Sequence, residues 1–200
     1  NNLNILLPEI FLSISIFFIL MVGVFVNKSY NLVTNLSFLS LIILILIIFN
    51  NDNTSIKIFS ESFVRDSYGN FIKILILLGS IFVLYSSQLF IKENNISKFE
   101  YPIIILLAIL GMFFMVSSND LILFYLGLEL QSLALYILAA IDRDNIRSTE
   151  AGVKYFVLSA LSSGLLLYGC SLLYGFTGST NFEVINNQLN PENIGSIFAM

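Results

Sequence analysis

The sequence predicts an all-α polytopic membrane protein. Three observations carry that reading. Of 200 residues, 57% are hydrophobic and 11% are charged, against roughly 25% charged in a soluble domain. The mean hydropathy is +0.90. The apolar residues gather into runs of about 20, the length that crosses a bilayer core as a helix. So few polar groups cannot cover a water-facing surface, so lipid is the expected solvent.

The first run extends from about Leu6 to Val26. Pro8 stands near its start, where proline is tolerated, with Glu9 beside it. No basic segment or small-residue cleavage site accompanies this run, which argues against a removable signal peptide. The second run extends from about Leu32 to Phe49. A polar loop, Asn50 to Asn70, follows with Asp52, Lys57, Glu61, Arg65 and Asp66. Further runs cover about Phe71 to Ile91, Tyr101 to Val116, Leu121 to Ala140 and Thr149 to Phe176. Ser117-Ser118-Asn119-Asp120 is so short a link that its helices must form an antiparallel hairpin. Asn27-Lys28-Ser29-Tyr30 joins the first two runs in the same way.

Near the end, Asn190-Pro191-Glu192 reads as an N-cap, a first helical position and an acidic first turn. The apolar run Ile194 to Met200 then begins. About ten helical residues reach only ~15 Å, half a bilayer. The expectation is one transmembrane domain over residues 1–200, with six spans and the start of a seventh. A missing C-terminal part or a second chain would complete it.

Lys28, Lys92, Lys98, Arg143 and Arg147 fall in the loops after the first, third and fifth runs. The other side carries Lys57 and Arg65. The positive-inside rule places the first set in the cytoplasm or matrix and the N-terminus outside. Absences narrow the chemistry. The sequence has no His and a single Cys, Cys170, so the usual haem and zinc ligands and an iron–sulfur cluster's thiolates are lacking. It contains no glycine-rich nucleotide loop and no basic patch for nucleic acid. The Asn-, Ile- and Phe-rich wording fits an AT-rich genome, organellar or bacterial.

Glu129 is the sharpest candidate. It lies near the middle of the fifth run, where a carboxylate costs roughly 2.5–3.5 kcal/mol on insertion scales. Tyr125, Ser132 and Tyr136 fall at i−4, i+3 and i+7 and share its helical face. This polar stripe suits a proton-exchanging carboxylate; the competing reading is a protonated glutamate held by a neighbour. Lys154 follows Glu150 by four residues in the sixth run, a spacing that suits an ion pair, or it is a lysine snorkelling at the membrane edge. Glu129 lies about eleven residues from the inner end and Lys154 about six, so their depths differ by roughly 8 Å. A water-mediated link between them is expected rather than a direct bridge. Lys73 and Glu9 read as interfacial side chains, and Asp142, Arg143, Asp144 and Arg147 as a solvated loop. Ser159/Ser163, Ala160/Gly164 and Ser171/Gly175 are small pairs that favour close helix packing. Cys170 reads as packing too.

The run from Leu123 to Asn181 carries a resemblance. Its markers are Gly127-Leu128-Glu129-Leu130-Gln131-Ser132-Leu133, Ser148-Thr149-Glu150-Ala151-Gly152-Val153-Lys154-Tyr155-Phe156, Ser162-Ser163-Gly164 and Tyr174-Gly175-Phe176-Thr177-Gly178. Leu7-Pro8-Glu9 and the stretch from Asp66 to Leu78 are also similar. The chain resembles the N-terminal part of chain 2 of NADH:ubiquinone oxidoreductase (respiratory complex I), known in bacteria as chain N. The resemblance implies an antiporter-like fold with inverted repeats in the membrane arm, moving protons while other subunits oxidise NADH and reduce ubiquinone. It implies that Glu129 is the fifth-helix glutamate, and Glu150 and Lys154 the acidic and basic pair on the sixth. The family's further lysines, on later helices, have no counterpart here. NADH, FMN, iron–sulfur clusters and ubiquinone would belong to other subunits. Partners would be those membrane-arm subunits and membrane lipids, and the location a mitochondrial inner membrane or a bacterial plasma membrane. A cation/proton antiporter subunit and a purely structural membrane subunit are the alternatives.

Overall fold

A computed structural model describes residues 5–26, 30–50, 55–93 and 98–188. The Lys28 loop and the expected start of a seventh span, Asn190 to Met200, lie outside the described residues. Among the described residues, six helices are long and apolar enough to cross a membrane: α1 (Leu7–Phe25), α2 (Tyr30–Phe49), α3 (Ser67–Glu93), α4 (Glu100–Ser117), α5 (Leu121–Ala139) and α6 (Ile146–Thr177). A short helix, α7 (Phe182–Gln188), follows. Local chemistry sets the boundaries. The Asp120 side chain caps α5 by accepting the Ile122 N–H at 2.8 Å, and Asn145 caps α6 through the Arg147 N–H at 3.0 Å. α6 ends at Gly178, whose φ of 68° is the left-handed closing conformation that glycine adopts freely.

α4 is the hub. It packs against α1, α2, α3 and α5, and the continuous core joins Leu12 and Ile16 of α1, Leu41 and Leu44 of α2, and Leu77 of α3 to Leu106, Ile109 and Phe113 of α4. The α4–α5 crossing is made by two glycines. A Cβ on Gly111 would stand 2.6 Å from the Gln131 nitrogen and 2.7 Å from the Gly127 oxygen. Backbones that close are possible only with glycine at the contact. α6 lies outside α5, with Gly152 against Ala140.

The polar loop contains structure the sequence reading did not place. Strands β1 (Ile56–Ile58) and β2 (Phe63–Arg65) form an antiparallel hairpin with Ile58 opposite Phe63. Its turn runs through Phe59, Ser60 and Glu61, all at positive φ, a costly conformation for residues with a Cβ. α3 also starts four residues earlier than expected. At this hairpin end, Asn119 donates to the carbonyls of Ser62 and Glu61. The Phe182 N–H donates to the Asn119 carbonyl, and Leu121 N–H to that of Thr180. The hairpin, the α4–α5 turn and the segment before α7 are thus stitched together. At the opposite end, Lys98 donates to the Ile141 carbonyl at 3.0 Å, so the loops after the third and fifth runs, expected on one side, do share it.

Candidate functional site

α5 has two working faces. Leu130, Ala134 and Leu138 pack towards α4. Tyr125 and Tyr136 face α6. The Tyr136 hydroxyl donates to Ser159, and its ring meets Tyr155 and Phe156 edge-on at 4.8 and 5.8 Å. Tyr125 lines a cleft of about 250 Å³ with Leu167, Cys170, Ser171 and Tyr174 of α6. Glu129 is one turn from Tyr125 and two from Tyr136, on the same face. Its Oε1 is buried and has no hydrogen-bond partner among the described residues. Ser132 does not satisfy it, since that hydroxyl donates to the carbonyls of Leu128 and Glu129. An unsatisfied carboxyl oxygen in a span is a place for a proton or a water.

Lys154 pairs with Glu150 at 2.6 Å, as the four-residue spacing predicts. The pair does not meet Glu129. The contacts Tyr136–Ser159 and Gly152–Ala140 fix the register of α5 against α6. Lys154 therefore stands about level with the end of α5, roughly 15 Å along the axis from Glu129. The sequence estimate fell short because α6 has 32 residues and overruns the 19 of α5. Lys154 also lies on the opposite face of α6 from Gly152, Phe156 and Ser159, exposed with Glu150. Of the small-residue pairs on α6, Ser159 makes a helix–helix contact. Cβ atoms on Gly164 or Gly175 would meet nothing within 4 Å among the described residues.

The larger correction concerns Glu9 and Lys73, expected at the interface. They form a buried ion pair of 2.5 Å, each only 2% exposed. Lys73 also lies under two rings, 5.5 Å from the Phe113 centroid and 5.7 Å from Phe63. Sequence position alone hid this. Both residues sit within two turns of a helix start, where snorkelling is the ordinary outcome. The hairpin, whose strands no apolar run announces, covers them. Among the described residues, no group of three or more His, Cys, Asp or Glu gathers as a metal site.

The family described as "NADH:quinone oxidoreductase/Mrp antiporter, TM" matches residues 118–200. The NADH-quinone oxidoreductase subunit N of Pelagibacter ubique is 54% identical over 100% of this chain and 43% of its own length. That of Parvibaculum lavamentivorans is 49% identical over 97% of this chain and 41% of its own. The chain is similar to subunit N over nearly its whole length. It spans about two-fifths of the length of these curated relatives. In three dimensions it matches a chain of respiratory complex I from Thermus thermophilus, solved with bound aureothin. The TM-score is 0.78 at 25% identity, over 96% of this chain and 41% of that one. The antiporter-like fold expected from the α5 and α6 motifs is therefore the observed one. The subunit N relationship extends it to α1–α3, where the sequence wording was least distinctive.

Proposed function

We propose that this chain is part of a membrane-arm subunit of proton-pumping NADH:quinone oxidoreductase, respiratory complex I. In this reading it contributes to proton translocation coupled to electron transfer from NADH to ubiquinone. One observation carries it: Glu129 Oε1 is buried in a membrane span without a hydrogen-bond partner among the described residues, on a face shared with Tyr125, Ser132 and Tyr136. That oxygen is where a proton or a water would bind in transit. Glu150 and Lys154 face away from Glu129 and act on whatever lies beyond α6, so they join the path as a separate charge pair.

The redox cofactors, namely NADH, FMN, iron–sulfur clusters and ubiquinone, belong in this reading to other subunits, because the chain offers no His and one Cys. Its partners are the other membrane-arm subunits and the segments that complete the fold. The named relatives are bacterial, which favours a bacterial plasma membrane over the mitochondrial inner membrane. The exposed cations Arg143 and Arg147 favour the hairpin end as the outer one. Labelling of a cysteine at Asp144 from outside sealed cells would reverse that orientation. The family description also covers Mrp antiporters, so a cation/proton antiporter subunit is the second reading.

The decisive experiment measures proton uptake and NADH oxidation together in sealed vesicles bearing the assembled complex. Glu129→Gln keeps the shape and removes ionisation. It is expected to impair pumping, with Lys154→Ala having a smaller or comparable effect. A Glu129→Gln complex that assembles and moves protons at the wild-type ratio per NADH would leave Glu129 a structural residue. Purification without flavin- and iron–sulfur-bearing subunits would favour the antiporter.

A further inference from the structure

The Glu9–Lys73 pair joins α1 to α3 beneath the hairpin, on the far side of α4 from the α5–α6 pair. Stability does not explain it. A buried ion pair is commonly no better than two apolar residues of the same volume, and the surrounding positions, Leu12 and Leu77, are apolar and fully buried. Nor is the pair fully satisfied, as a fastener would be. Lys73 donates to Glu9 Oε1 at 2.5 Å, whereas Glu9 Oε2 is buried with no hydrogen-bond partner among the described residues. Buried polar groups left open in this way call for a missing partner such as a water or a proton.

The surroundings are asymmetric. Towards the opposite end, Leu12 and Leu77 close the site one turn below. Towards the hairpin end, Asp66, Asn70 and Lys73 succeed one another at steps of four and three, and Asn70 is buried like Lys73. Lys73 is about 9 Å from the start of α3, at an end that carries Arg65 of β2 and Asp66, and also Lys57, Glu61, Asp120 and Glu183. A short polar row thus links the pair to the hairpin surface. The rings of Phe63 and Phe113 stand over the ammonium and hold a cation without the carboxylate's charge.

We propose that Glu9 and Lys73 are a second proton-exchanging site of this chain, loading from and releasing to the water at the hairpin end. The step is a single protonation. A hydronium gives its proton to Glu9 Oε2, forming the O–H bond and leaving water, and the neutral pair becomes a buried site of charge +1 on Lys73. Release returns the proton the same way. The inference rests on the proton-translocating reading and places one terminus of that process in the α1–α4 bundle.

The test uses the assembled complex in sealed vesicles, with Glu129→Gln measured in the same preparation. Glu9→Gln retains an acceptor for Lys73 but cannot exchange a proton. Assembly and NADH oxidation are expected to persist, with a loss of protons moved per NADH. The infrared spectrum should lose a carboxyl band whose intensity follows pH on the hairpin side. A Glu9→Leu/Lys73→Met double variant, which removes both charges and keeps the volume, should assemble and show the same loss. Wild-type pumping by either variant overturns the proposal, as does failure of both to assemble, which makes the pair a fastener. If Glu129→Gln impairs pumping and Glu9→Gln does not, only this inference falls. If Glu129→Gln pumps normally, the underlying reading falls first.

Discussion

α4 and α6 cross the same membrane, yet α4 buries eleven of its residues and α6 buries Gly152 alone. The fully formed core belongs to α1–α4, and α5 adds only half-buried Leu130 and Leu138 to it. Leu158, Leu161, Leu165 and Tyr168 of α6 are more than 60% exposed. The difference teaches that hydropathy and packing are separate properties in lipid. An apolar helix needs no protein neighbour to be stable in a bilayer, because lipid tails are as apolar as leucine. What marks the packed region is close backbone approach and buried polar pairing, both concentrated around α4.

The sharpest way to break this comparison is to give both regions the same substitution. Gly111→Val places methyls where a Cβ already falls 2.6 Å from backbone, so α4 and α5 must separate. The expected cost is at least the ~1–3 kcal/mol of overpacking, read as loss of folded protein in detergent. Gly164→Val on α6 meets nothing within 4 Å among the described residues and should change stability by less than about 0.5 kcal/mol, as surface substitutions do. Equal losses would mean that another segment covers Gly164 in the assembled protein, and the contrast between the regions would disappear.

A smaller effect probes the seam between α5 and the exposed helix. Tyr136→Phe removes the hydroxyl that donates to Ser159 and keeps the ring contacts with Tyr155 and Phe156. Hydrogen bonds between membrane helices average about 0.6 kcal/mol and reach about 1.7. A destabilisation in that range, measured by reversible unfolding in bicelles, is expected. No change at all would mean that the ring alone holds the seam.

The same contrast explains what the sequence made legible. The six spans could be read directly, because about 20 consecutive apolar residues leave few alternatives. Glu129 could be read because a charge in mid-span stands out against leucines. The hairpin could not, since strands of three residues carry too little period to register, and Ile58 and Phe63 look like any loop hydrophobes until they pair. Glu9 and Lys73 stand 64 positions apart, and only the α1–α4 packing joins them. The Glu129–Lys154 distance was misjudged for a third reason. Depth counted from helix ends assumes helices of equal overhang, and α6 extends well past α5. Lys154 also turned out to be on the wrong face, which no axial count reveals without the Gly152–Ala140 contact that fixes rotation.

The smallest effect concerns the strap that ties the α6–α7 end back to the bundle. Lys57 of β1 donates to Glu183 of α7 at 2.5 Å and lies 3.9 Å from Glu61. The hydrogen bond to Glu183 raises the Lys57 pKa above its ordinary value of 10.5. A raised lysine stabilises the fold fully below the ordinary value, and the contribution is lost as pH rises through the raised one. Across neutral pH the strap's contribution should therefore be flat. Both side chains are substantially exposed, at 37% and 53%, so solvent and salt screen the interaction. Lys57→Met should lower the melting temperature slightly in dilute buffer. The difference from wild type should shrink in molar salt, and shrink again as pH climbs past the lysine range. A difference that ignored salt, or grew in alkali, would mean that Lys57 acts through its apolar stem. The strap would then be one of packing, like the bundle it joins, and the charged surface at the hairpin end would contribute nothing to holding the two regions together.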